Sequence, residues 1–268
     1  MLRGFYGVAS GMIAQQRKTE MLTDNLANVQ TPGYKEDQSS IRTFPELLIQ
    51  ARNTSSFPPH RTSTPIGDLA TGVYMQERTM NFRQGDLRET ERSTDVALLQ
   101  MTPAAEGAYF FVTQNEDGEI RYTRNGNWTV DGEGFLTTSD GYYILDGAGE
   151  PLEVGSERFT VNENGVVTDE TGALVGQIDV AFAEDPHALV KEGNGLLRSE
   201  DGELPSGIPE AGTEYRLAQG FLERSNVNVA ETMTDLMNSY RIFEANQRMM
   251  QAYDQSMQRT VNEVGRLG

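Results

Sequence analysis

The sequence predicts an α+β protein. Long N- and C-terminal helices pair as a coiled coil, and a central, mostly antiparallel β domain of twisted sandwich or barrel type lies between them in the chain. Three observations carry this expectation: an unbroken heptad pattern at the C-terminus, a weaker one at the N-terminus, and a turn-punctuated, strand-like middle. The 268 residues suffice for one large domain or two small ones. The expected division is residues 1–35 plus 226–268 as the helical part, 36–94 as an extended arm, and 95–225 as a β-rich outer domain.

The C-terminal element is the clearest. Val229, Met233, Leu236, Tyr240, Phe243, Gln247, Met250, Asp254, Met257, Val261 and Val264 follow one another at alternating steps of 4 and 3. That is a heptad seam, with Gln247 and Asp254 as its polar exceptions. Asn228 and Glu231 supply a capping box, and neither Pro nor Gly interrupts before Gly265. One helix over about 228–265 follows, on the order of 55 Å long at 1.5 Å per residue, which exceeds what a compact domain ordinarily needs.

At the other end, Phe5, Ala9, Met12, Gln16 and Thr19 keep the same spacing, and Leu22, Leu26 and Val29 resume it after a slip of one residue. Gly4, Gly7 and Gly11 weaken this helix, each by up to about 1 kcal/mol relative to alanine, and let another backbone approach. Such a helix needs a partner, and the C-terminal seam is the obvious one. Tyr6, Val8, Ile13, Met21, Met237, Ile242, Met249 and Tyr253 lie off the two seams. That surplus apolar surface points to neighbouring subunits. Thr31-Pro32-Gly33 ends the N-terminal pattern.

Residues 51–66, ARNTSSFPPHRTSTPI, read as an extended arm. Beyond residue 95 the chain is β-rich. IRYTRNGNWTV reads as a hairpin around Asn125-Gly126. WTVDGEGFLTT at 128–138 is echoed by FTVNENGVVTD at 159–169, which suggests two similar β-turn-β units.

Charge is unevenly spread. Residues 1–43 carry 5 basic and 4 acidic side chains and 228–268 carry 4 and 5, while 44–227 carry 13 and 31. Near-neutral ends therefore flank a solvated, acidic body, which disfavours nucleic acid. Mean hydropathy is −0.52, no run is apolar enough to insert in a membrane, and no cleaved signal is recognisable. There are no cysteines, which removes disulfides and thiolate metal sites. His60 and His187 stand at no metal-ligand spacing, and the acidic Asp-Gly turns are what hairpins want for backbone reasons. No catalytic set, metal or cofactor is expected.

Ala9-Ser10-Gly11-Met12 and Asp24-Asn25-Leu26-Ala27-Asn28-Val29-Gln30-Thr31-Pro32-Gly33-Tyr34-Lys35 resemble the N-terminal motif of the bacterial flagellar rod and hook (axial) protein family, with Asp24 and Gln30 where Asn is more usual. Gly220-Phe221-Leu222-Glu223-Arg224-Ser225-Asn226-Val227-Asn228 and Arg241-Ile242-Phe243-Glu244-Ala245-Asn246 resemble its C-terminal motif. The turn order Tyr122-Thr123-Arg124-Asn125-Gly126, Asp131-Gly132-Glu133-Gly134, Asp140-Gly141-Tyr142 is similar to that of the rod proteins nearest the hook. LLQMTPAAEGA at 98–108 replaces the family's short Gly-containing link.

The resemblance implies a non-enzymatic structural subunit of the flagellar basal-body rod, of the distal type, with a hook or hook-associated protein as the alternative within the family. Such subunits are exported unfolded by the flagellar type III apparatus. They polymerise with copies of themselves and with neighbouring rod and hook proteins into a hollow shaft that transmits torque. A secreted β-rich adhesin or glycan-binding module is the alternative of a different class. The expected assembly residues are Phe5, Met12, Leu22, Asn25, Leu26, Asn28, Val29, Pro32, Gly33, Tyr34, Ser225, Asn226, Val229, Met233, Leu236, Tyr240, Phe243, Asn246, Met250, Met257 and Val261. Within them, Met12, Leu22 and Leu26 are expected to face Leu236, Phe243 and Met250, and Pro32-Gly33 to turn the chain outward.

Overall fold

The computed structural model describes residues 2–52, 63–101, 107–115, 117–200, 202–207 and 215–264. Pro58, Pro59 and His60 of the expected arm, and residues 102–106 of the altered link, lie outside them. The chain divides into two compact units. One comprises Met1–Leu26, Asp37–Thr79 and Val229–Gly268; the other comprises Ala27–Glu36 and Met80–Asn228.

The first unit holds both long helices, α1 (Leu2–Ala27) and α2 (Val229–Val264), within a residue or two of the bounds that capping and periodicity predict for α2. Its third component is a ribbon inside the segment read as an arm. Asp37–Thr43 pairs with Val73–Met80, and within that loop Leu47–Arg52 pairs with Ser63–Leu69. Neighbouring contacts give the helix direction. Gly4 lies against the Tyr253 ring, and a Cβ on Gly11 would stand 3.2 Å from Asn246 Nδ2. Lys18 Nζ lies 3.9 Å from Asp235 Oδ2. Met21, Leu22 and Met75 form a small buried cluster on which Leu236 packs. From Gly4 to Leu22 on α1 the contacts run from Tyr253 back to Leu236 on α2, so the two helices face each other in opposite directions. Gly4 and Gly11 serve as the sequence predicts, each making room for a side chain of the facing helix, whereas Gly7 meets only the Thr71 carbonyl.

The second unit is built on the strand Ala108–Gln114. It pairs antiparallel with Ile120–Thr123 on one side, and on the other with Val180–Ala183 and Tyr143–Ile144. The same sheet continues to Leu196–Arg198 and Val190–Lys191 at one edge, and through Leu136–Thr138 to Trp128–Val130 at the other. Smaller ladders join Val96–Gln100 to Tyr215–Gln219, and Leu87–Glu89 to Phe221–Glu223. No sheet closes on itself among the described residues, so these are open ladders and not a barrel.

Alternation explains the apolar run AYFFV. Tyr109 and Phe111 enter one core cluster with Trp128, Leu98, Ile178 and Tyr215, whereas Ala108, Phe110 and Val112 enter another with Phe82, Leu145 and Leu197. A strand buried on both faces has no polar side to show.

The expected hairpin around Asn125-Gly126 does not form. Ile120–Thr123 pairs with Ala108–Gln114, and Trp128–Val130 pairs with Leu136–Thr138. The Asn-Gly pair is used differently. Val96 N–H donates to the Gly126 carbonyl at 3.0 Å, and Asn127 N–H donates to Asn125 Oδ1 at 3.0 Å. A Cβ on Gly126 would collide with the Val96 carbonyl, so glycine here serves close backbone approach and not a two-residue turn.

The internal echo, in contrast, has a common structure. Trp128–Val130 with Leu136–Thr138, and Thr160–Val161 with Val166–Thr168, are both antiparallel pairs. Asp131 Oδ1 accepts the N–H groups of Glu133 and Phe135 at 3.0 and 2.8 Å. Asn162 Oδ1 accepts those of Asn164 and Val166 at 3.0 and 2.9 Å. In both turns the side-chain oxygen serves the backbone.

Candidate assembly interface

On α2 the face turned toward α1 is a heptad stripe, shifted from the one the sequence picks out. Thr232 and Ser239 are buried, and Leu236, Phe243, Asn246, Met250, Tyr253 and Met257 are partly buried. Val229, Met233, Tyr240 and Val261 are exposed, at 40, 47, 53 and 70 %. Helical geometry places Met233, Met237 and Tyr240 on one flank of the stripe, and Ile242 and Met249 on the other. All five are exposed. On α1, Tyr6 and Ile13, seven residues apart, are likewise exposed. Tyr240 and Phe243 also line an open hollow of about 390 Å³ with Gln16, Thr19, Glu20, Thr23 and Asp24. The shift has a simple reason. Small Thr232 and Ser239 continue the spacing of Asn246 and Tyr253, and small polar residues are invisible to a search for apolar repeats.

The remaining candidates on α1 are Phe5, Met12 and Leu26, partly buried, and Leu22, buried beside Leu236. Asn25 is fully buried. Its Nδ2 donates to the Asp37 carbonyl at 2.8 Å, and its Oδ1 accepts the Asp37 N–H at 2.9 Å. Asn25 thus holds the start of the ribbon strand. Asp24 is explained by the same strand pair. Arg78 Nη2 lies 2.8 Å from Asp24 Oδ2 and 3.3 Å from Asp37 Oδ2.

The corner residues belong to the second unit. Thr31 N–H donates to the Asn28 carbonyl, and the Thr31 hydroxyl lies 3.2 Å from Asn28 Oδ1. Val29 and Pro32 are partly buried. Gly33 has φ +69, and its N–H donates to the Glu223 carbonyl at 2.8 Å. A Cβ there would strike the backbone of Arg124, so only glycine combines that turn with that approach. Tyr34 is buried with Lys191 Nζ 4.1 Å from its ring centroid. Asn226 Oδ1 accepts Glu36 N–H at 2.8 Å, while its Nδ2 donates to the carbonyls of Asn81 and Arg83 at 2.7 and 3.0 Å. Ser225 Oγ accepts the Val227 N–H.

Beneath this corner is a buried charge cluster. Lys35 Nζ lies 2.6 Å from Glu223 Oε1 and donates to the Arg83 carbonyl at 2.9 Å. Arg124 Nη1 lies 3.4 Å from Glu223 Oε2, and its two terminal nitrogens donate to the Leu98 carbonyl and Gln100 Oε1. Gly85 N–H also donates to Glu223 Oε1 at 3.0 Å. Two cations share one carboxylate. Burial pulls the Lys35 ammonium down to about 8 against the opposing pull of Glu223. Each member sits in a different motif: Lys35 ends TPGYK, Arg124 centres YTRNG and Glu223 lies in GFLERSN. Charged residues at the heart of three separated motifs were the available signal.

Three stretches match family sequence patterns. Residues 5–35 match the flagella basal body rod protein pattern, 104–176 the flagellar hook protein FlgE/F/G D1 domain, and 218–263 the flagellar basal body rod FlgEFG protein C-terminal pattern. Among individual relatives, the flagellar hook-basal body complex protein FlhO of Bacillus subtilis is 45 % identical over 100 % of both chains. The flagellar basal-body rod protein FlgG of Borreliella burgdorferi is 32 % identical over 95 % of this chain and 96 % of its own. The FlgG of Buchnera aphidicola from Acyrthosiphon pisum is 30 % identical over 93 % and 95 %.

Proposed function

The chain belongs to the flagellar basal-body rod and hook protein family, and from that membership we propose that it is a structural subunit of the rod, at the end nearest the hook. Its place is the flagellar basal body. Copies polymerise with one another and with neighbouring rod and hook proteins into a hollow shaft that carries torque. In that shaft α1 and α2 pair as a coiled coil on the inner wall, the arm of 36–94 leads away from them, and residues 95–225 face outward. Subunits reach the site unfolded through the flagellar export apparatus.

The observation that carries the assembly reading is α2 itself. It is a 36-residue helix with exposed apolar side chains on both flanks of the stripe that meets α1. Fully burying a side chain such as methionine or isoleucine contributes about 1.5–3 kcal/mol, so Met233, Met237, Ile242 and Met249 together favour association strongly. The near-neutral charge of both chain ends lets many copies converge there without mutual repulsion.

The test is location. Basal bodies are purified, the hook is dissociated, and the chain is detected by a specific antibody. The chain is expected in the rod that remains. Loss with the hook would make it a hook or hook-associated protein, and absence from basal bodies would contradict the assignment.

A further inference from the structure

A hollow of about 740 Å³ in the second unit is lined by Gln30, Arg88, Arg92, Asp95, Asn127 and Arg224, among others. Its charges are unusual for this chain. Residues 44–227 carry 31 acidic side chains against 13 basic ones, yet three arginines meet here. Arg88 and Arg224 are exposed and have no ion-pair partner among the described residues. Asp95 is 1 % exposed, and its Oδ1 makes no hydrogen bond. The nearest cation to that oxygen is Arg92 Nη1, at 4.0 Å. A buried carboxylate oxygen with no donor is costly unless something supplies one.

The two halves of the hollow ask for different things. The arginines ask for carboxylate or phosphate, and Asp95 asks for an N–H. A bare anion satisfies the rim but meets Asp95 as a like charge. A bare cation satisfies Asp95 but faces three guanidinium groups. A peptide carrying an acidic side chain beside a free backbone N–H satisfies both. The chain itself exposes acidic turns, Gly132-Glu133 and Gly202-Glu203 among them.

We propose that this hollow is a socket for an acidic turn from the β-rich part, residues 95–225, of a neighbouring copy. The turn's carboxylates pair with Arg88 and Arg224, and its backbone N–H donates to Asp95 Oδ1. The proposal rests on the rod-subunit reading and adds to it a second, polar contact between copies, separate from the helices.

The absence of cysteine gives a clean experiment. Gln30, exposed at the hollow, is changed to cysteine in the full chain and labelled with a maleimide–benzophenone in purified basal bodies. The sample is irradiated and mapped by mass spectrometry. Crosslinks are expected to an acidic segment within 95–225 of a second copy. The added pair Arg88→Gln and Arg224→Gln should lower their yield at least about fivefold, the change that roughly 1 kcal/mol of lost ion pairing gives. Arg88→Lys with Arg224→Lys should restore part of it. Crosslinks to a different protein or to the helices, no crosslink at all, or a yield indifferent to the arginine changes would overturn the socket while the rod reading stands. Absence of the chain from basal bodies would overturn both.

Discussion

Leu236→Asp abolishes rod assembly and motility while the β-rich unit stays folded. Leu236 packs on the cluster of Met21, Leu22 and Met75, where α1, α2 and the ribbon strand Val73–Met80 come together. An aspartate there places a carboxylate against three apolar side chains and beside Asp235, which already pairs with Lys18 at 3.9 Å. Losing a packed leucine alone costs about 2–5 kcal/mol, and an unpartnered charge adds to that. Phe243→Asp should act likewise, since Phe243 lies on the same stripe one turn-pair further on and lines the hollow between the helices. The core clusters of the second unit contain no residue of α1 or α2, so its thermal transition should not move. Electron microscopy of basal bodies and a swimming assay check the first half, and near-ultraviolet circular dichroism checks the second. Motile cells with normal rods would sink the assignment of this face.

Glu223→Gln destabilises the second unit by about 3–5 kcal/mol, because it leaves the buried Lys35 and Arg124 without their shared counter-charge. The deficit should depend on pH in a defined direction. Glu223 raises the lysine pKa, so without it Lys35 loses its proton below the present value of about 8. A buried charged lysine is the source of the cost. The deficit is therefore largest around pH 6–7, where Lys35 is charged, and shrinks as rising pH discharges it. Urea unfolding of the variant and the parent at pH 6 and pH 9 measures both. Lys35→Met combined with Glu223→Gln should recover part of the loss, since one of the two stranded cations is gone. A cost below about 1 kcal/mol would mean that the cluster is not closed as the structure has it.

Much of this fold is legible in the sequence where a long period repeats. Helix α2 needs only its heptads and a capping box, and it spans Val229–Val264 among the described residues. The echo at 128–138 and 159–169 is legible because one turn chemistry, an Asx side chain accepting two N–H groups, recurs in both. Asn125-Gly126 misleads because hairpin turns and close backbone approaches ask for the same glycine, and only the position of Val96 tells them apart. The face of α2 misleads for a related reason. Apolar side chains outnumber the positions α1 can cover, so the apolar pattern alone does not say which are covered, and Thr232 and Ser239 settle it without being apolar. The charge cluster draws on residues 35, 124 and 223, and no local pattern announces a meeting across such separations.

Single cysteines test the central claim most directly, namely that the helices are the assembly surface and the β-rich part faces outward. Ile13, Met237 and Leu174 are 53, 55 and 72 % exposed. Each is changed to cysteine in turn, and the rate of maleimide labelling is compared in the soluble subunit and in purified basal bodies. All three should label readily in the subunit. In basal bodies, Ile13→Cys and Met237→Cys should be protected while Leu174→Cys still labels. Helix cysteines that label in basal bodies as fast as Leu174→Cys would contradict the account.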